Sequence, residues 1–155
     1  MQPVFRIRNL SVCIKGKTLL EIDALDIPAG STAVIGPNGA GKSTLLRALI
    51  GQAGQGEITL LGEAAAPQIR AGKAAWVGQH GRYNMPMTVR EYIALAAFVQ
   101  KGRLNHEWAD ELLNYFDLAA LAEKRIGRLS GGEQQRANII RALLQNARVL
   151  LLDEP

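Results

Sequence analysis

Gly36-Pro37-Asn38-Gly39-Ala40-Gly41-Lys42-Ser43-Thr44 fits the spacing G-x-x-x-x-G-K-[ST], and each residue type in it suits one part of a bound phosphate chain. Glycines at 36, 39 and 41 permit positive φ and close approach, so that successive N–H groups can face an anion. Lys42 is a long point charge able to reach β- and γ-phosphates. The Ser43 hydroxyl is placed to coordinate Mg²⁺, and Thr44 to hold a neighbouring phosphate.

A second cluster closes the chain. Val149 to Leu152 is an apolar run that ends in Asp153 and Glu154, so two carboxylates are expected at the tip of a buried strand. Such tips are where ligand crevices open in α/β sheets. Asp153 suits the Mg²⁺ shell, commonly through water, beside Ser43. Glu154 suits polarising the water that attacks a γ-phosphate. A third cluster, Ser130-Gly131-Gly132-Glu133, reads first as a capping box. A capping box needs neither glycine, and glycine early in a helix is costly. Both make sense if an anion must approach that helix end closely. The chain already has one phosphate loop, so a second anion site suggests a nucleotide shared between two copies.

These residues need elements to hold them. Ser31–Ile35 is expected to be a short strand entering the loop, and Leu45, Leu46, Leu49 and Ile50 the buried stripe of the helix leaving it, with Gly51 as its end. Upstream, residues 4–14 alternate with Phe5 and Ile7 opposite Arg6 and Arg8. Lys15–Lys17 is a turn, and residues 20–27 alternate with Ile22 and Ala24 inward. Strands are expected at 57–61 and 74–77, and the alanine-rich stretch 64–73 is left unassigned. From about 82 to 126 the pattern turns helical. Thr88 and Glu91 form a capping box ahead of Val89, Tyr92, Ile93, Ala96 and Ala97 on one face. Asn105 caps a helix expected to bury Trp108, Leu112, Tyr115 and Phe116, and Leu118–Glu123 is a third short helix. A helix from Ser130 to about Gln145 follows.

The bulk numbers fit this layout. The 155 residues are one domain's length, and 48% hydrophobic content can fill a core. The net charge of +4 is scattered without a Lys/Arg run, so no nucleic-acid partner is expected. Cys13 is the only cysteine, which excludes an internal disulfide. No apolar run reaches the roughly 18 residues of a membrane span.

Taken in order, Gly36–Thr44, Gln79, Leu129–Arg136 and Leu150–Pro155 resemble the nucleotide-binding domain of ABC ATPases, whose own signature is the stretch Leu129-Ser-Gly-Gly-Glu-Gln-Gln-Arg136. The resemblance spans essentially the whole chain. It implies an α/β fold: a P-loop NTPase (RecA-like) core with an N-terminal antiparallel β region and a helical subdomain at about 82–135, within a single domain covering 1–155. It implies ATP and Mg²⁺ as ligands. Two ATPase subunits would pair head to tail, and Ser130, Gly131, Gly132 and Glu133 would meet the nucleotide held by the other subunit. Gln79 would be the glutamine that senses Mg²⁺ and couples to an integral-membrane permease. Asp153 would be the Walker B aspartate and Glu154 the catalytic glutamate, with Lys42 and Gln79 assisting.

The chain departs from the family pattern in two places. The position of the adenine-stacking aromatic falls at Ile14, which has no π face. The sequence also stops at Pro155, before the family's D-loop and switch histidine, and neither His80 nor His106 fits that histidine's place. The chain is therefore expected to be a fragment lacking a central strand, with two strand edges left unpaired and no cooperative unfolding as a soluble monomer.

Met1 just ahead of the first strand favours a separate ATPase subunit on the cytoplasmic face of the membrane, as in importers. Met85-Pro-Met-Thr-Val-Arg-Glu91 looks most like importers of metal ions, siderophore-bound iron or cobalamin. Two other readings stay open: a soluble ABC-type ATPase acting on ribosomes or nucleic acid, and a remnant that binds nucleotide without hydrolysing it.

Overall fold

A computed structural model describes residues 2–79, 85–99 and 102–154. Met1, His80 and Pro155, which bear on the expectations above, lie outside the described residues. The chain divides into two units, Met1–Ala71 and Gly72–Pro155.

The first unit is an antiparallel sheet with one helix of the phosphate-loop type. Strands β1 (Phe5–Ile14), β2 (Lys17–Ile27), β3 (Gln55–Leu60) and β4 (Glu63–Ala64) lie in the order β2-β1-β3-β4. Lys15 and Gly16, both at positive φ, make the tight turn between β1 and β2. Phe5 and Ile7 are buried as expected, but the buried positions switch parity to Leu10 and Val12 beyond Asn9. Asn9 has φ 50° and interrupts the β1–β3 register. Opposite this break Gly56 has φ 144°, and a Cβ there would lie 2.6 Å from the Asn9 carbonyl oxygen. Strand β2 follows the same switch in register with β1: Leu25 and Ile27 are its half-buried positions at one end, Leu20 and Ile22 at the other. Ala24 is exposed, contrary to the simple alternation, because strict period-two counting does not survive an irregularity in the paired strand.

Helix α1 (Lys42–Leu49) buries Leu45, Leu46, Ala48 and Leu49. It ends as expected at Gly51, φ 74°, with Gly51 N–H donating to Ala48 O at 2.9 Å and Gln52 N–H to Arg47 O at 2.9 Å. The unassigned alanine-rich stretch contains a short helix, α2 (Ala65–Arg70). Ser31–Ile35 is not a strand. Among the described residues no strand pairs with it, and Val34 and Ile35 are 42% and 92% exposed. The apolar run supplies the side chains of a strand, but a ladder also needs a neighbouring backbone.

The second unit holds a parallel pair and a helical core. Strand β5 (Ala74–Val77) pairs with β6 (Val149–Leu152) in the register Ala74↔Val149 to Val77↔Leu152. Helix α3 (Val89–Ala94) begins at the Thr88/Glu91 capping box, with both reciprocal bonds present. At Leu95 the bonding tightens, since Leu95 N–H reaches Tyr92 O and Phe98 N–H reaches Leu95 O. The expected single helix is thus divided into α3 and α4 (Ala96–Val99). Asn105 caps α5 (His106–Tyr115) by accepting from Trp108 N–H at 3.0 Å. The buried face of α5 is Ala109, Leu112 and Leu113, whereas Trp108 and Tyr115 are 42% and 80% exposed. Helix α6 (Gly131–Leu144) packs against both α3 and α5, with Ala137 and Ile140 in one buried core beside Tyr92, Ile93, Leu112 and Leu113. The expected helix at Leu118–Glu123 is a single 3-10 turn, Ala119–Leu121.

Of the strand expected to be wholly buried, only Leu151 is, with Leu150 and Leu152 39% and 43% exposed. Among the described residues β6 has one strand neighbour, β5. No helix among the described residues is long and apolar enough to cross a membrane.

Candidate functional site

Residues 36–44 form a loop that turns directly into α1. Gly39 (φ 84°) and Gly41 (φ 94°) use the left-handed region that the sequence reading required. Gly36 does not; a Cβ there would stand 3.4 Å from that of Ala40, so its role is close packing of the loop. Gly41 is the helix N-cap and carries no side chain to satisfy the first turn, which also lacks an acidic residue. The open N–H groups and the positive end of the helix are therefore left for an anion. Pro37 O accepts from Ala40 N–H at 3.2 Å and so shapes the turn that contains Asn38. Lys42 Nζ donates to Gly36 O at 2.8 Å and to Pro37 O at 3.0 Å, which folds the ammonium group back over its own loop. Ser43 and Thr44 are half-buried in the first turn. A Cβ on Gly41 would meet Leu20 Cδ1 at 3.4 Å, so the start of β2 borders the loop, while Ile14, at the adjoining hairpin end, is 53% exposed.

In the second unit, β5 runs into Gln79 and β6 into Asp153 and Glu154. Parallel pairing brings these two strand ends side by side. Asp153 N–H donates to Val77 O at 2.9 Å, continuing the ladder by one residue, and Asp153 is 3% exposed. The Gln79 side-chain amide donates to the Glu154 carboxylate. Two residues far apart in sequence, each singled out for its chemistry, thus meet. Glu154 has φ 49°, which turns its side chain out of the strand.

The signature stretch lies at the start of α6. Ser130 Oγ accepts from Glu133 N–H at 3.3 Å, and Glu133 Oε2 accepts from both Ser130 N–H (2.7 Å) and Ser130 Oγ–H (2.8 Å). The Ser130 amide and hydroxyl, with the charges of Arg136 and Lys124, hold the Glu133 carboxyl below the ordinary glutamate range. Gly132 lies in the first turn with open space around it: a Cβ there would meet nothing closer than Arg136 Nη1 at 4.0 Å. Packing does not require glycine at that place.

Sequence reasoning gave no role to Gln134. Its side-chain amide, 6% exposed, donates to Ile126 O at 3.0 Å and Leu129 O at 3.3 Å, tying the segment before Ser130 to the helix. A polar residue beside the serine–glycine pair was visible as part of the motif, but nothing local shows that it turns inward.

Among the described residues no three His, Cys, Asp or Glu side chains form a metal-holding group. The hydroxyl of Ser43 in the first unit, and the carboxylate of Asp153 and amide oxygen of Gln79 in the second, are each oxygen donors of the type that suits Mg²⁺.

Comparison with known proteins gives a consistent result. The family model described as ABC transporter matches residues 20–155. The chain is 38% identical to the hemin import ATP-binding protein HmuV of Bradyrhizobium diazoefficiens, covering 100% of this chain and 63% of that protein. It is 34% identical to the manganese transport system ATP-binding protein MntB of Listeria monocytogenes, covering 96% of this chain and 66% of that one. Among solved structures, an ATP-binding subunit of an ABC transporter superposes with TM-score 0.81 at 25% identity, covering 98% of this chain and 66% of the other. A metal-chelate type ABC transporter in an inward-facing conformation superposes with TM-score 0.72 at 27% identity, covering 100% and 61%. The chain thus spans about 63% of the length of the hemin-import relative.

Proposed function

The chain belongs to the ABC transporter family of ATP-binding proteins, and from that premise we propose that it binds and hydrolyses ATP as part of the ATPase subunit of an importer. The observation that carries this reading is the loop at 36–44: two left-handed glycines, an uncapped helix end and Lys42 held over the loop's own carbonyls. These are the features needed to take up a polyanion.

In this reading the loop amides and Lys42 hold the β- and γ-phosphates. Mg²⁺ supplies charge neutralisation of the phosphates when bound, with Ser43, Asp153 and Gln79 as its protein-side oxygens or their water-bridged partners. Glu154 accepts a hydrogen bond from the attacking water and orients it. Gln79, already hydrogen-bonded to that carboxylate, fixes its direction. Ser130, Gly131, Gly132 and the adjoining Glu133 form the surface presented to nucleotide on a second copy paired head to tail.

The remaining partners are permease subunits, with the helical subdomain at about 82–135 as the docking part and the cytoplasmic face of the membrane as the location. The hemin, manganese and metal-chelate relatives support a metal ion or metal chelate as cargo.

The test is steady-state ATP hydrolysis by the chain beside its Glu154→Gln variant, with binding of a fluorescent ATP analogue measured on both. Hydrolysis that falls at least a hundredfold in the variant while binding persists supports the reading. Equal background rates in the two would leave a nucleotide-binding remnant instead.

A further inference from the structure

Glu133 places a full negative charge where the proposed function needs an anion to dock. Its Oε2 accepts from both donors that Ser130 can offer outward, the backbone N–H at 2.7 Å and the hydroxyl at 2.8 Å. The hydroxyl proton is therefore directed at Glu133 and away from solvent, and the positive end of α6 is neutralised by a residue of its own first turn. Arg136 borders the open space at Gly132.

We propose that Glu133 is a positioning residue that gates the signature helix. It keeps Ser130 in a state that refuses phosphate, so that only a metal-neutralised triphosphate carried by a second copy can draw the serine hydroxyl away. This rests on the reading of Ser130–Glu133 as the surface facing a partner's nucleotide. The exchange is balanced: the Ser130 Oγ–H bond to a carboxylate oxygen is given up and one to a phosphate oxygen is made, with no proton transferred. The gate thus raises the concentration of ATP needed for pairing without touching the loop at 36–44.

The test variant is Glu133→Gln. Glutamine at the third helical position still completes a capping box, so the helix start is retained while the charge is removed. Pairing is followed by sedimentation as Mg²⁺-ATP is raised, and nucleotide affinity of the separated chain is measured with a fluorescent ATP analogue. The expected result is that Glu133→Gln lowers the ATP concentration for half-maximal pairing roughly fivefold. That gap should narrow at about 0.5 M salt, where exposed charges are screened. It should shrink when Ser130→Ala is present in both proteins, because the hydroxyl clamp is then absent. A merely structural role for Glu133 would show none of the salt dependence.

Equal half-maximal concentrations, or a gap indifferent to salt and to Ser130, would overturn the gate and leave the proposed function standing. If ATP binds yet drives pairing in neither protein, the gate falls together with the two-copy reading of the signature helix. If neither protein binds ATP, the proposed function itself is overturned.

Discussion

Lys42 Nζ lies 2.8 Å from the carbonyl oxygen of Gly36, the residue that opens the same loop. The lysine that should grip a phosphate instead bridges the loop's two ends. In the proposed function an arriving nucleotide would replace these carbonyls as the partner of the ammonium group. Lys42→Ala therefore removes both the loop's internal brace and the charge that meets the phosphates. Affinity for a fluorescent ATP analogue is expected to fall roughly 30- to 100-fold, as for loss of a charged hydrogen-bonding group and its brace. An unchanged dissociation constant would remove Lys42 from the binding site.

Gly132 sits in the first turn of α6, with a neighbour no nearer than 4.0 Å to a built Cβ. Alanine has room there and is the better helix former. Gly132→Ala should stabilise the chain by about 0.5 kcal/mol while weakening the ATP-driven pairing of the proposed function, because the methyl group would occupy space that the proposal gives to a phosphate. Chemical denaturation and sedimentation on the same preparation give the two readings. A variant that is more stable and pairs as well as the wild type would show that the glycine has no ligand to admit.

Gly56 and Gly16 both have positive φ, but only one is crowded. Alanine at Gly56 would push its methyl group into the backbone of Asn9 and Leu10, at 2.6 and 2.7 Å. At Gly16 nothing lies within 4 Å. The expected costs are about 2–4 kcal/mol at Gly56 and about 1 kcal/mol at Gly16. Urea midpoints of the two variants beside the wild type check the order, which would be reversed if the β1 irregularity were unimportant.

Asp26 is held below the ordinary aspartate range mainly by the hydrogen bond from Arg8 Nη1 at 2.7 Å, with the charges of Arg8 and Arg6 assisting. A lowered carboxyl pKa contributes stability above the unfolded value, and that contribution is lost as pH falls through the folded one. The pair is solvent-exposed, so the effect is small. Carboxyl chemical shifts followed against pH should place the Asp26 midpoint low in the wild type and higher in Arg8→Gln. Coincident curves would dismiss the ion pair.

What could be read from the amino acids was what depends on near neighbours along the chain. The glycine spacing at 36–41, the capping boxes at Thr88/Glu91 and Ser130/Glu133, the Asn105 cap and the Gly51 helix end all appear as expected, because each is closed by residues within a few positions. Where a distant partner decides, the reading failed. Helical spacing points to Trp108 and Tyr115 on the core face of α5, yet both are exposed and Ala109 and Leu113 face inward instead. The parity switch at Asn9 depends on Gly56 and could not be seen in β1 alone. The contact of Gln79 with Glu154 follows from pairing β5 with β6, a relation between segments that neither segment announces.

The segment 31–35 leads straight into the phosphate loop, yet among the described residues no strand lies beside it. One end of the loop is thus moored by α1, while the other is held without a ladder. Any backbone that zipped onto 31–35 would preorganise the amides, and the triphosphate would in turn tighten that zipper by the same factor, since linkage is reciprocal. For such a chain a bound nucleotide would act as a folding cofactor, and its affinity would report how far the backbone entering the loop is held in place.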